Sequence, residues 1–274
     1  MTLLSGKARL AGVVGWPVGH SRSPRIHGTW LARHRIDGAY VPLPVRQADF
    51  SSVVRALAAA GFAGVNVTIP HKETAFVLAD EHDEAAASCR AVNTLVFRDG
   101  RIFGLNTDGY GFLANLRAHG VTPSGPALLL GAGGAAAAIG AALALAGVEV
   151  TLCNRTPARA ETHAKTQNFK TIPWEARAAA LADFSLLVNT TALGMVDQPE
   201  LEMNLDRAPN SLVVADIVYA PLETRLLAAA RQRNLQAVEG LGMLLHQAVP
   251  GFAAWFGVTP VVDEDLYRIA GDES

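Results

Sequence analysis

The chain has 274 residues, half of them hydrophobic and 18% charged, enough apolar material to bury a core and exclude wholesale disorder. Its 23 basic and 25 acidic residues leave a net charge of -2, which argues against nucleic acid or an anionic membrane as the main partner. Two cysteines, Cys89 and Cys153, exclude a disulfide scaffold, and the eight scattered histidines carry no metal-binding spacing, so no metal is expected.

In chain order, Ala8–Val14 reads as a strand. Lys7 and Arg9 before Leu10–Val14 faintly suggest an export signal, but Gly15-Trp16-Pro17 interrupts the apolar run too early. Pro24–His34 reads as a helix with Ser23 as N-cap and Pro24 at the first helical position. Ala39–Pro42 is a short strand, and Phe50–Ala60 a helix closed by Gly61. Along Gly64–Ile69 the alternation turns Val65, Val67 and Ile69 one way and Asn66 and Thr68 the other. Pro70 stops that strand, and a helix runs to about Asp80. Ala91–Phe97 and Arg101–Gly104 flank Asp99-Gly100, a hairpin turn signal. A further helix follows Asp108 and ends near Gly120.

The stretch Val121–Val148 is uncharged and long enough to span a bilayer. Its prolines, glycines and alanines instead suggest a buried strand (Ala127–Leu130), a glycine turn and a helix (Ala135–Ala146). Val148–Asn154 is the next strand and Pro157–Gln167 a helix. Ser185–Asn189 and Leu212–Val218 are strands, Leu222–Asn234 is a helix, and Leu241–Phe256 is a long apolar helix. Such alternation argues for a parallel sheet covered by helices on both faces. With no export or membrane segment read, a soluble cytoplasmic protein is expected.

Several clusters carry chemistry. Gly131-Ala132-Gly133-Gly134-Ala135-Ala136 fits G-x-G-x-x-A between a strand and a helix, where glycine lets the backbone approach a pyrophosphate. The same residues also suit an ordinary tight strand–helix turn. The following strand ends Asn154-Arg155-Thr156 without the acid that holds the ribose hydroxyls of NAD. Arg155, with Thr156 and Arg159, suits a 2′-phosphate, which favours NADP; the bland alternative is two solvated arginines. Ser21 and Ser23 at a helix start either cap it or hold a small carboxylate. Asn66 and Thr68 share a strand face with Lys72 just beyond, a cation at the positive end of a helix. Read alone, Lys72 is an ordinary exposed lysine and Asp108 an ordinary N-cap. Asn93 and Gln247 are polar residues in apolar elements and need partners, structural or ligand.

Taken in order, Ser21–Pro24, Asn66–Lys72, Asn93, Asn106–Gly109, Gly131–Ala135, Asn154–Thr156, Asn189–Gly194, Tyr219 and Gly240–Gln247 resemble the full motif series of the shikimate dehydrogenase family, over about residues 8 to 260. The resemblance implies an α/β chain of two domains with a cleft between them. Residues 1–109 and 242–274 would form the substrate domain, and 110–241 a Rossmann-like, doubly wound, parallel-sheet NADP domain. The activity implied is the reversible NADPH-dependent reduction of 3-dehydroshikimate to shikimate, with a small-molecule partner and a monomer or homodimer. Carried over by motif, Lys72 and Asp108 match the catalytic pair. Ser21, Ser23, Thr68, Asn93, Tyr219 and Gln247 match groups around the substrate. Gly131, Gly133, Gly134, Ala135, Asn154, Arg155 and Thr156, with Arg159 nearby, match the NADP loop and phosphate clamp. Thr190, Ile217, Gly240 and Met243 match the nicotinamide lining.

Three departures bear on cofactor affinity and pH optimum. Ala137 stands where many members carry arginine, Glu239 where Asp is usual, and His71 where an aromatic or hydrophobic residue is common. An NAD-dependent quinate/shikimate dehydrogenase would place an acid after the second strand of the nucleotide domain. Asn154-Arg155-Thr156 argues against that. A degenerate ligand-binding member would have lost Lys72 or Asp108, and both are present.

Overall fold

A computed structural model describes residues 3–272 of the chain. It is an α/β protein whose packing forms two compact units, one of residues up to 107 together with those from 247 on, the other of residues 108–246. The elements of the first stretch are β1 (Arg9–Gly15), α1 (Ser23–Arg33), β2 (Gly38–Pro44), α2 (Phe50–Ala59), β3 (Gly64–Val67), α3 (Lys72–Leu78), β4 (Glu81–His82), α4 (Glu84–Cys89), β5 (Thr94–Arg98) and β6 (Arg101–Leu105). The second unit contributes α5 (Asp108–Ala118), β7 (Ala127–Leu130), α6 (Gly134–Leu145), β8 (Val150–Cys153), α7 (Pro157–Gln167), β9 (Lys170–Ile172), β10 (Leu186–Asn189), β11 (Val213–Asp216), α8 (Arg225–Gln232) and β12 (Gln236–Val238). The long helix α9 (Gly240–Phe256) contains the boundary between units, and α10 (Glu264–Gly271) ends the described chain.

The sheet of the first unit has six strands in the order β2-β1-β3-β5-β6-β4. This sheet is mixed, as the expected hairpin requires. β1 runs parallel to β2 and β3, but β5 is antiparallel to both β3 and β6. The reason is local: Asp99 and Gly100, both at positive φ, close a two-residue hairpin that forces β5 and β6 to run in opposite directions. Val14, Phe50, Val54, Val65, Val67 and Leu95 belong to one buried cluster. A second layer is aromatic, with Trp30 edge-on to Phe252 at 5.3 Å and Phe252 against Phe256 at 4.8 Å.

Three expectations are corrected. The strand at Gly64 ends at Val67, because His71 N–H donates to the Thr68 carbonyl at 2.9 Å and turns the chain. Ile69 therefore leaves the apolar face and is 73% exposed. The strand carrying Asn93 begins only at Thr94, although Asn93 N–H still donates to the Leu105 carbonyl of β6 at 3.1 Å and its carbonyl accepts from Val67 N–H of β3 at 2.8 Å. Ser23 is not the N-cap of α1. Arg22, whose guanidinium donates to the Ala270 carbonyl at 2.9 Å, already has helical backbone angles, so Ser23 is the first helical residue. The hydroxyl serving that terminus is Ser21 Oγ, which accepts from Ser23 N–H at 3.3 Å.

The second sheet is parallel throughout, in the order β12-β11-β10-β7-β8-β9. Counted from β7, this is the doubly wound order whose direction of winding reverses between β7 and β10. Its four central strands, β11, β10, β7 and β8, are buried on both faces, against Phe112, Leu116, Ile139 and Leu143 on one side and Leu181, Leu205, Leu226 and Leu227 on the other. The uncharged stretch Val121–Val148 is resolved into β7, a glycine turn and the twelve-residue α6. No helix among the described residues is long and apolar enough to cross a membrane.

One close approach fixes the first unit. Trp255 Nε1 donates to the Leu95 carbonyl at 3.0 Å, passing over Gly64. A Cβ at Gly64 would collide with that carbonyl and with the indole, whose Cδ1 would lie 2.8 Å away. Gly64→Ala is expected to destabilise the protein by about 2–4 kcal/mol, combining overpacking with a lost buried hydrogen bond. The shift of the urea midpoint at unchanged slope measures it.

Candidate active site

In the second unit the candidate cofactor residues collect at the carboxyl ends of β7, β8, β10 and β11. Gly131 follows β7 with φ +116°, and a Cβ there would lie 2.6 Å from Thr190 Oγ1. That hydroxyl donates to the Leu130 carbonyl at 2.6 Å, and Thr190 N–H donates to the same oxygen at 2.8 Å. Gly131 and Thr190 are thus packed together at the switch point of the sheet, where ligands of this topology bind. The helix α6 starts after Gly133, which has extended backbone angles and no side-chain cap. Its first-turn N–H groups therefore have no side-chain partner, which suits an anion. Ala137 is fully buried. After β8, Asn154 Nδ2 donates to the Thr156 carbonyl at 2.9 Å and shapes the turn that holds Arg155. Arg155 and Arg159 are both exposed.

A buried polar set organises the next two strand ends, and the sequence reading missed its central member, Asp216. Asp216 Oδ1 accepts from Asn189 Nδ2 at 2.9 Å and Val218 N–H at 3.0 Å, and Oδ2 accepts from Thr224 Oγ1 at 2.8 Å. Burial raises its pKa to about 6, against the opposing hydrogen bonds. The sequence signal was an acid closing the apolar run Leu212–Ala215. Ile217 and the half-buried Tyr219 follow it directly, and the Gly240 backbone lies against the Ile217 carbonyl. Met243 is buried in the cluster that also holds Val188 and Ala215.

In the first unit, Asn93, Thr107 and Gln247 meet. Asn93 Oδ1 accepts from Thr107 N–H at 2.9 Å, and its Nδ2 donates to Thr107 Oγ1 at 3.0 Å and Gln247 Oε1 at 3.3 Å. Thr107 Oγ1 also donates to the Gln247 carbonyl at 2.8 Å. Asn106 is fixed beside them, its Nδ2 donating to the Ala91 carbonyl at 2.9 Å and its N–H to Asp83, the N-cap of α4. Lys72 opens α3, and its carbonyl accepts from Val92 N–H at 3.0 Å, next to Asn93. Thr68 is half-buried in the turn before it. His71 is fully buried, bonded through Nε2 to the Val45 carbonyl at 2.8 Å and stacked on Phe50 at 4.6 Å. It therefore fills the packing role of the apolar residue usual at that position. Asp108 belongs to the second unit, where it is the first residue of α5 and 5% exposed.

These motifs have counterparts in known proteins. Residues 13–95 match the family model for the shikimate dehydrogenase substrate binding domain. Over 272 residues, 98% of this chain and 99% of the relative, the sequence is 66% identical to the shikimate dehydrogenase (NADP(+)) of Acidiphilium cryptum. The chain belongs to the shikimate dehydrogenase family. It is also 54% identical over 275 residues to the Rhodospirillum rubrum member, covering 96% of this chain and 97% of that one. The fold superposes with a TM-score of 0.88 on the shikimate 5-dehydrogenase of Thermus thermophilus, a crystal structure in complex with NADP(H) and shikimate. The two chains are 36% identical, with 96% of this chain and 98% of that chain covered.

One family departure has a visible partner. Glu239, where shikimate dehydrogenases usually carry Asp, pairs through Oε2 with His119 Nε2 at 3.0 Å. Asn115 Nδ2 donates to the Glu239 carbonyl at 2.8 Å, and His119 Nδ1 meets the Asn115 carbonyl at 2.9 Å. The bond to Glu239 raises the His119 pKa, and the bond to His119 lowers that of Glu239. The histidine contribution is present below its unfolded value of 6.5 and fades as pH rises through its raised folded value. The glutamate contribution is present above 4.5 and fades as pH falls through its lowered folded value. The stability lost in His119→Gln is therefore expected to peak between about pH 4.5 and 6.5, at roughly 1 kcal/mol for so solvated a pair. Urea denaturation of both proteins across pH measures this; a difference that is constant with pH contradicts it.

Proposed function

We infer that this chain catalyses the reversible reduction of 3-dehydroshikimate to shikimate with NADPH, with Lys72 and Asp108 as its catalytic pair. What carries the reading is that the family's motifs, with departures only at His71, Ala137 and Glu239, stand within a chain 66% identical to an NADP-dependent shikimate dehydrogenase over 98% of its length. We assign the substrate to the first unit and the cofactor to the second. Gly133, where a Cβ would meet nothing within 4 Å, leaves backbone room for a pyrophosphate, the uncapped start of α6 offers N–H donors, and exposed Arg155 and Arg159 suit a 2′-phosphate. NADPH supplies a hydride to the ketone carbon. As the ketone oxygen gains charge, the Lys72 ammonium stabilises it and delivers a proton, and Asp108 partners the lysine. Ser21 and Ser23 hold the substrate carboxylate, and Thr68, Asn93, Tyr219 and Gln247 its remaining polar groups. Thr190, Ile217, Gly240 and Met243 line the nicotinamide, with Gly133, Gly134, Ala135, Asn154 and Thr156 around the phosphates. We further assign a cytoplasmic enzyme that works as a monomer or homodimer, which sedimentation of the purified protein tests.

Two substitutions separate chemistry from binding. Lys72→Ala is expected to lower kcat by roughly 10²–10⁴-fold, with a much smaller change in the KM for shikimate. Turnover surviving within a few-fold contradicts the assignment. Arg155→Ala is expected to weaken NADP by roughly ten- to a hundredfold while leaving NAD nearly unchanged, since one charged hydrogen-bond partner is lost. The ratio of kcat/KM for the two cofactors, before and after the change, is the measurement. A ratio indifferent to Arg155 removes the clamp.

A further inference from the structure

A directed chain of buried hydrogen bonds runs from β2 to Asn93. Its polarity is set at the Asn93 end. Because Thr107 N–H must donate, Asn93 Oδ1 faces it at 2.9 Å and Nδ2 faces Thr107 Oγ1 and Gln247. Thr94 Oγ1 donates to the same Asn93 Oδ1 at 3.1 Å. With its proton so directed, the Thr94 hydroxyl accepts from its other neighbour, and Asn66 Nδ2 donates to it at 3.0 Å. Asn66 Nδ2 also donates to the Asn93 carbonyl at 3.2 Å. The Asn66 Oδ1 is thereby turned toward Tyr40, whose hydroxyl donates to it at 2.6 Å.

All four side chains are buried, so no water replaces a missing donor at low cost. The Tyr40 ring is stacked on His27 at 4.0 Å with 2° between planes, and Trp255 lies 6.0 Å away. Burial pushes the Tyr40 phenol well above its usual range and holds His27 down to about 3, so the phenol keeps its proton beside a neutral ring.

We propose that Tyr40 is a positioning residue for the substrate: through Asn66 and Thr94 it holds in place the Asn93 side chain, whose amide direction Thr107 N–H sets. This rests on the reading of Asn93 as substrate-facing given above. Without the phenol hydroxyl, Asn66 Oδ1 loses its donor, the amide turns to find another, and Thr94 is released from Asn93.

The test is steady-state kinetics of the full-length enzyme with shikimate and NADP+. Tyr40→Phe is expected to raise the KM for shikimate roughly five- to fiftyfold, the effect of losing one or two aligned hydrogen bonds, with the KM for NADP+ within about twofold. Thr94→Val, which keeps the side-chain shape and cuts the chain in its middle, is expected to do the same, and decides the matter if Tyr40→Phe does not fold. Added to Asn93→Ala, Tyr40→Phe is expected to change the KM for shikimate no further. An unchanged KM for shikimate in Tyr40→Phe, an equal rise in both KM values, or a full additive effect in the Asn93→Ala background overturns the role of Tyr40 alone. An Asn93→Ala protein with normal KM for shikimate overturns the substrate-facing reading of Asn93, and this inference with it.

Discussion

The Asn93 side-chain amide is the constraint on which the substrate unit depends. It stands just before β5, accepts from the backbone of Thr107 at the end of the β6–α5 connection, and donates to Gln247 of α9. Three segments far apart in sequence are therefore fixed by one side chain. Because the amide is 3% exposed, each of its bonds replaces a bond to water that is no longer available. Leaving one unmade costs about 1–3 kcal/mol, several times the net gain of an average exposed contact. The segments are thus held in a single arrangement rather than a loose one.

The cofactor unit solves the same problem with different residues. In a parallel sheet all strands end on one edge, and the polar groups that gather there must be satisfied by one another or by a ligand. Asn189 and Asp216 close adjacent strands and bond to each other, and Thr224 completes the set from the start of α8. Gly131 and Thr190, on the neighbouring pair, keep backbone close to backbone. Structural polar groups are spent on one another, while the first-turn N–H groups of α6 and the exposed Arg155 remain turned outward, available to phosphate.

Much of this was legible in the sequence. The strand–helix alternation of residues 127–234 gives the four central strands of the parallel sheet, but not its edge strands β9 and β12, three residues each and largely unburied, and Asp99-Gly100 gives the hairpin. The direction of β5 relative to β3 was not legible, because the short β4 and α4 intervene and carry weak periodicity. The roles of Ser21 and Ser23 were hidden too: a cap depends on the backbone angles of Arg22, which composition and spacing do not show. Asn93 and Gln247 stood out as polar residues in apolar surroundings. Tyr40 did not, since a tyrosine in a strand needs no explanation. Its pairing with Asn66 follows from register, which sets Tyr40 opposite Ala11 and Asn66 opposite Val13 on the two sides of β1. Asp216 was read only as part of a strand, and its partners lie 27 and 8 residues away.

Family membership, the cofactor preference read from Arg155 and the polar cluster around Asn93 converge on one reaction. The most direct test follows the absorbance of reduced nicotinamide when the purified protein meets each pairing of shikimate or quinate with NADP+ or NAD+. The account predicts rapid reduction with shikimate and NADP+, and a markedly lower kcat/KM for the other three pairings. A protein that reduces NAD+ faster than NADP+, or that prefers quinate, would contradict it.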